Sequence, residues 1–380
     1  MRDYFHLASL ARFLFPVDGD CLNSRDGTLQ EGRLWIEAQV AAPMGANIAV
    51  NGTAAQETSP GVWSIRLPLE EGRTELAAVD RAHPGTGDRI SVFRLKGGER
   101  GFRLSVDDNI LFLADLTENQ YRYHSIFENP YLAVYRSAHE KTGACVHLNL
   151  FYETGDLSLF SNERPYFNLS MMTSRFREEW RANAHWLRLS FHARSEFPNR
   201  PYSTPEAEKI TEDCCLVQQE IRRFAGDETL SEVTTVHFCA CPLENIRALR
   251  KLGVRGLVGF TGDGGQVRSG YHGYHYPLEV VQRVAKRHFW VDTEERISCA
   301  RIDSILNTIS PEDLSGQLEK AGKDGEQNGF LEFMIHEQYF YSDYSRYIPE
   351  FGDMVLTACQ FARDRGYTGR SLSTLFEGLF

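Results

Sequence analysis

The chain is 380 residues long, more than one typical core requires, which favours one large domain with an accessory module. Its formal net charge of -11 argues against nucleic acid or an anionic membrane surface as the main partner, since both would repel it, and leaves a neutral or cationic substrate. No apolar run approaches the length of a membrane span.

The first residues, Met1 to Leu7, carry charge and are followed by no apolar core of signal-peptide length, so a cytoplasmic protein is expected. The eight cysteines are scattered, several inside apolar runs, which suits reduced, buried thiols. From Arg33 to about Arg94, short alternating or apolar strands are separated by turn residues: Leu34 to Val40, Ile48 to Val50, Trp63 to Leu67, Thr74 to Ala78 and Ile90 to Leu95. That spacing predicts a β-sandwich, with Asn51-Gly52 as a type I′ hairpin turn. The polar, glycine-rich Lys96 to Gly101 reads as a linker, placing a first module at residues 1–98 and a second at 99–380.

After the linker, strands alternate with helices, the signature of a parallel sheet. Helices are predicted over Pro130 to Lys141, Thr173 to Ala184, Pro205 to Phe224, Pro242 to Leu252, Met354 to Arg365 and Leu372 to Leu379. Strands are predicted over Cys145 to Phe151, Trp186 to Phe191, Val233 to Cys239, Arg255 to Val258 and Phe330 to Ile335. The glycine-rich, aromatic segment from Gly259 to Thr293 breaks the rhythm and reads as a long loop near the mouth of the fold.

Two stretches place chemistry where a hydrophobic strand ends: Ser105-Val106-Asp107-Asp108-Asn109, and Leu189-Ser190-Phe191-His192 running on to Glu196. An adjacent carboxylate pair lets one group hold a metal while its neighbour takes a proton from water, although Asp-Asp-Asn also serves as a plain turn and helix N-cap. His192 and Glu196 share one face if the segment after Phe191 is helical; the bland alternative is a histidine bonded to a backbone carbonyl.

Ser105 to Asn109 resembles the Thr-Phe-Asp-Asp-Gly signature of the polysaccharide deacetylase (NodB-homology) superfamily. His192 to Glu196 resembles its His-x-x-x-His motif, with Glu196 standing at the second histidine. The resemblance implies a distorted (β/α) barrel in which Asp107 is the general base, Asp108 a metal ligand and His336, from Phe333-Met334-Ile335-His336, the general acid. Val50-Asn51-Gly52 followed by Pro68-Leu69-Glu70-Glu71-Gly72 resembles the bacterial immunoglobulin-like modules that accompany carbohydrate enzymes. The expected architecture is therefore α/β: a deacetylase-type barrel preceded by a small immunoglobulin-like sandwich.

Asp108, His192 and Glu196 make an oxygen, nitrogen, oxygen set that suits a divalent ion, zinc slightly ahead of manganese, iron or cobalt. His237 and Asp303 at further strand ends, and Glu337 as a carboxylate to orient the His336 ring, form a second rank. Arg194, Tyr271 and Tyr274 are candidates for substrate contact, the tyrosines in a lid-like loop with His272 and His275. Phosphate-binding glycine loops are missing, so nucleotide binding is not supported, and a Gly-x-Ser-x-Gly elbow is likewise missing. The expected function is metal-dependent removal of an acyl group from a carbohydrate or acylated small molecule, without nucleic acid or membrane partners. Two alternatives stay open: a catalytically inactive barrel that binds carbohydrate or a protein, and a metal-dependent hydrolase of a non-sugar C–N bond.

Overall fold

The computed structural model describes residues 2–261 and 273–380. The chain opens with two antiparallel sheets. One orders Arg12–Phe15, Arg33–Ala41, Val62–Leu69 and Gln56–Ser59, with Gly27–Gln30 also on Arg33–Ala41. The other orders Thr53–Ala54, Ile48–Val50, Gly72–Asp80 and His83–Arg94. The two bury a shared apolar cluster in which Leu34, Ile36, Val40 and Trp63 of one sheet meet Ile48, Val50, Leu76 and Val92 of the other. Asn51 and Gly52 both take positive φ, so Val50 pairs with Thr53 across a two-residue turn, as the Asn-Gly sequence requires.

A mixed α/β region follows. Its six-stranded parallel sheet runs Leu187–Ala193, Val146–Phe151, Gly101–Asn109, Phe330–His336, Ser304–Ile305, with Thr368–Gly369 beside Gly101. In a second sheet, Val233–Thr234, Gly256–Gly259 and Ile297–Arg301 are parallel, and Phe289–Asp292 is antiparallel to the last. The sheets connect at both sides. Leu189 exchanges backbone hydrogen bonds with Thr229 (2.9 Å) and Ser231 (2.8 Å), just before Val233, and Ile297–Arg301 runs directly on into Ser304–Ile305.

Helices cover these strands because each presents an apolar stripe. Pro130–Thr142 starts with Asn129 accepting from the Leu132 amide and Pro130 at its first turn, and it stops at Gly143, whose φ of 74° ends the helix in the left-handed conformation. Phe102, Leu104, Val106, Val146, Leu148, Leu150, Leu187, Leu189 and Phe191 face outward into the main apolar cluster under the helices.

Several expectations need correction. Val233 to Cys239 is not one strand: it pairs only over Val233–Thr234, and His237–Cys239 forms a helical turn with Phe238 at φ 60°. The segment from Gly259 to Thr293 is not all loop, since Leu278–Arg287 is a helix burying Val280, Val281 and Val284, and Phe289–Asp292 is a strand. The helix predicted from Thr173 is regular only over Arg177–Asn183. An unexpected helix, Leu314–Asn328, carries glycines at its contacts: a Cβ on Gly325 would come within 2.6 Å of Leu331 and one on Gly322 within 2.9 Å of Phe361. No disulfide links the cysteines, and among the described residues no helix is long and apolar enough to cross a membrane.

Candidate metal centre and active site

Asp107, Asp108, His192, His237 and His336 all lie where parallel strands end, the edge at which α/β folds gather functional groups. Successive residues of a regular strand point to opposite faces, so two neighbouring aspartates cannot both face one site without a local irregularity. The structure supplies it. The register of Gly101–Asn109 against Val146–Phe151 shifts between Val106 and Asn109, and Asp108 takes a φ of 65°, a left-handed conformation costing on the order of 1 kcal/mol. The pairing of Val146–Phe151 with Leu187–Ala193 shifts likewise, between Leu150 and Phe151, beside His192.

Asp108, His192 and His237 form a buried cluster whose ligand atoms lie within 4.8 Å of one another. His192 Nδ1 donates to the Thr235 carbonyl at 2.5 Å, which leaves Nε2 as the lone-pair nitrogen. His237 Nε2 donates to the Glu196 carbonyl at 3.1 Å, leaving Nδ1 free. The two free nitrogens face each other at 3.0 Å, and Asp108 Oδ1 lies 3.0 Å from the first and 3.5 Å from the second. That Oδ1 is buried and accepts no well-formed hydrogen bond from the protein. Three acceptor atoms turned on one another need a cation between them, either a proton or a metal ion. The set of one carboxylate and two imidazoles, each imidazole oriented by a carbonyl on its far nitrogen, suits a divalent ion.

The electrostatics agree. Burial works against the His192 imidazolium, but Asp107 and Asp108 outweigh it and push its pKa up to about 9. Burial also opposes ionisation of Asp108, yet its contacts with His192 and His237 hold it well below the usual carboxylate range. The Phe151 ring packs 5.3 Å from both imidazoles and keeps water off them.

Glu196 is placed outside this cluster. Residues 194–196 form bends rather than a helix, so the four-residue spacing does not align the two side chains as helical geometry would. Its carboxylate instead accepts from Gln338 Nε2 at 2.9 Å, and the same amide nitrogen donates to Asp108 Oδ2 at 2.9 Å. Burial first, then the Asp108 charge, pushes Glu196 up to about 8. Asp107 accepts from Asn149 Nδ2 at 2.6 Å. His336, paired in register with Asp107, donates through Nδ1 to Asn307 Oδ1 at 2.8 Å and turns Nε2 toward Asp108 Oδ2, 4.0 Å away.

Asn307 therefore orients the His336 ring, a task that sequence reading gave to Glu337. Glu337 faces away: it is fully buried and accepts from the amides of Ile110, Leu111 and Phe112, which caps the helix Leu111–Glu118. Asp303 belongs to a separate buried group with His288 at 3.3 Å and Arg301 at 2.9 Å. Tyr274 is buried, donating to the Val258 carbonyl at 2.5 Å, and so pins a strand end rather than facing a cleft. Arg194 is partly exposed and pairs with Glu153 at 3.0 Å. Tyr271 and His272 lie outside the described residues. Sequence reading missed Gln338, Asn307 and Asn149, whose only signal is polarity at or beside a strand end.

A small cleft at the cluster has Asp108, Glu196 and Gln338 among its lining, with Ile110, Phe151, Leu157 and Phe160 as apolar walls.

No protein-family model matches the chain, and no curated protein matches it in sequence. Among solved structures, the chain is similar to a protein described as a polysaccharide deacetylase from Mycobacterium smegmatis, with 9% identity over 72% of this chain and 94% of that one and a TM-score of 0.35. It is also similar to Agd3, a carbohydrate deacetylase (9% identity, 87% and 69% covered, TM-score 0.38), and to a CE4 esterase from Streptococcus mutans (11% identity, 71% and 85% covered, TM-score 0.35).

Proposed function

We propose that the chain is a metal-dependent hydrolase that removes an acyl group from an N- or O-acetylated carbohydrate. The two connected sheets are read as an incomplete (β/α) barrel of the polysaccharide deacetylase type, preceded by an immunoglobulin-like module over residues 1–98. The observation that carries the proposal is the meeting of His192 Nε2, His237 Nδ1 and Asp108 Oδ1, three buried acceptors with no donor set between them. Those residues would hold the ion. Bound there, a divalent cation supplies Lewis acidity toward an acyl carbonyl and toward water.

The chain's own groups divide the proton work. Asp107, fixed by Asn149, takes a proton from the water that attacks the acyl carbon. His336, fixed by Asn307, delivers a proton from Nε2 to the departing nitrogen or oxygen as the acyl bond breaks. The apolar cleft walls exclude bulk water, and Glu196 with Gln338 lines the floor beside the acyl group. Arg194 is kept as a candidate substrate contact at the surface.

Elemental analysis of the full-length protein as isolated is expected to find close to one divalent ion per chain. Asp108→Ala and His237→Ala are expected to weaken binding by more than about 100-fold, while Glu196→Gln retains the ion. Acetate release from chitin oligomers, peptidoglycan fragments and acetylated xylan then tests turnover. A wild-type protein that stays metal-free after supplementation overturns the proposal; a metal-loaded protein that binds sugar oligomers but releases no acetate leaves a binding module.

A further inference from the structure

The inner face of the parallel sheet carries polar groups of which the chemistry above uses only Asn149. Arg103, His147, Ser190, Asn149 and Glu332 are all almost completely buried, on four neighbouring strands beneath Asp107. Their hydrogen bonds run in sequence, and the direction of each is fixed by what the atoms are able to do. Arg103 is held by Glu332 through contacts of 2.6 to 3.0 Å, and its Nη1 lies 3.1 Å from His147 Nδ1. A guanidinium only donates, so His147 Nδ1 accepts and the ring proton sits on Nε2. That Nε2 donates to Ser190 Oγ at 2.8 Å, and Ser190 donates onward to Asn149 Oδ1 at 2.6 Å. The Asn149 amide has no freedom to flip, because its Oδ1 also accepts from the Thr235 backbone amide at 3.2 Å. Its Nδ2 is thereby committed to Asp107 Oδ1 at 2.6 Å.

We propose that Asn149 is a positioning residue for Asp107, set in place by a one-way chain of hydrogen bonds that starts at Arg103 and passes through His147 and Ser190. The inference rests on the reading of Asp107 as the group that takes the proton from water. Every link donates toward Asp107, so the buried guanidinium polarises the chain in the sense that favours a carboxylate at its far end. Glu332 fixes the Arg103 fork bidentately, Nε on Oε2 and Nη2 on Oε1, giving the chain a rigid origin. Burial, together with the charges of Arg103 and Arg188, keeps His147 well below the ordinary imidazole range and hence neutral, as a ring that accepts on one side and donates on the other must be. The chain ends on one oxygen of Asp107 and holds the carboxylate at a fixed angle.

Two measurements test this on the full-length, metal-loaded protein. In ¹⁵N-histidine NMR, His147 is expected as a neutral ring with its proton on Nε2 throughout pH 5 to 9; the other tautomer, or an imidazolium with no acceptor left for Arg103, breaks the one-way chain and overturns the proposal. In kinetics, Asn149→Ala is expected to lower kcat by about 100-fold with KM, metal content and Tm little changed, the size of effect that a misplaced group produces. Ser190→Ala is expected to lose about 10-fold, with Ser190→Thr recovering most of it because the hydroxyl is restored. Unchanged kcat in Asn149→Ala overturns the proposal, and the serine pair decides it if that variant does not fold. If the wild type turns over no acylated sugar, the deacetylase reading fails and the tautomer of His147 still decides the direction of the chain.

Discussion

Two strands with the same alternation meet opposite fates in this molecule. In Arg33–Ala41, Leu34, Ile36, Ala38 and Val40 point into the first apolar cluster, while Glu37 and Gln39 point to water. In Gly101–Asn109, Phe102, Leu104 and Val106 point into the main cluster, yet Arg103, Ser105 and Asp107 on the other side are buried as well. A sheet open on one side lets its polar residues be hydrated singly. One closed over on both sides compels them to satisfy each other, and each group then fixes the next. The candidate active site is the end of such a face, where the ladder of buried polar groups meets the strand ends.

The largest expected effect breaks that face at its origin. Arg103→Met leaves Glu332, fully buried, with an uncompensated charge, and is expected to destabilise the protein by about 3–5 kcal/mol in denaturant unfolding. Arg103→Met combined with Glu332→Leu is expected to recover most of this, since neither charge remains to be desolvated. If the single variant unfolds like wild type, the buried polar face is not the interdependent unit described above.

The same contrast explains what was readable in the sequence. The two antiparallel sheets declared themselves through alternation and through Asn51-Gly52, because a hairpin is a local event. Asp107 and Asp108 stood out at a strand end, but nothing local says that Asp108 adopts a left-handed backbone and so turns to the same side as its neighbour. His237 ranked low because Val233 to Cys239 reads as one strand; the turn that swings it to Asp108 places Phe238 at φ 60°, a conformation that phenylalanine does not advertise. Glu337 reads as a carboxylate that orients the His336 ring because it is polar beside a strand end, and its true partners, the amides of Ile110 to Phe112, are 225 or more residues away. Helix Leu314–Asn328 was hidden by its glycines, of which Gly322 and Gly325 are there for close packing. Local periodicity is legible; pairings made by the closing of the sheet are not.

A smaller effect sharpens the comparison through pH. His192 is raised to about 9 in the folded protein, so in the metal-free state its contribution is complete below its ordinary 6.5 and is lost as pH climbs through 9. Glu196, raised to about 8, acts in the same sense: the fold favours its neutral form, and the cost of ionisation grows from the ordinary 4.5 up to 8. Chelator-treated protein is therefore expected to lose Tm steadily between pH 6.5 and 9, with up to ~3 kcal/mol from His192, and Zn²⁺ to flatten the curve by replacing the proton. Zn²⁺ binding at pH 7 is expected to release about one proton, read by calorimetry in buffers of different ionisation enthalpy. A flat Tm profile for the metal-free protein, with no proton released on binding, contradicts this assignment.

The smallest effect is expected on the wet face of the antiparallel sheet that contains Arg33–Ala41, and its size is what separates the two kinds of polar residue. Glu37 is exposed and sits opposite Arg66 across the strand pair, and the Arg66 guanidinium also lies 5.2 Å over the Trp35 ring. Removing the carboxylate strands no buried charge, because water hydrates Arg66 and the ring contact remains. Glu37→Ala is accordingly expected to cost no more than about 0.5 kcal/mol, an ordinary value for one exposed cross-strand pair, and to lose even that in 1 M salt, where the Debye length is about 3 Å. The Arg103→Met penalty is expected to survive the same salt, since ions do not reach a guanidinium and a carboxylate enclosed on both faces of the sheet. Equal salt sensitivity of the two variants would mean that the inner face is wetter than its hydrogen bonds imply, and the one-way chain toward Asp107 would lose its physical basis.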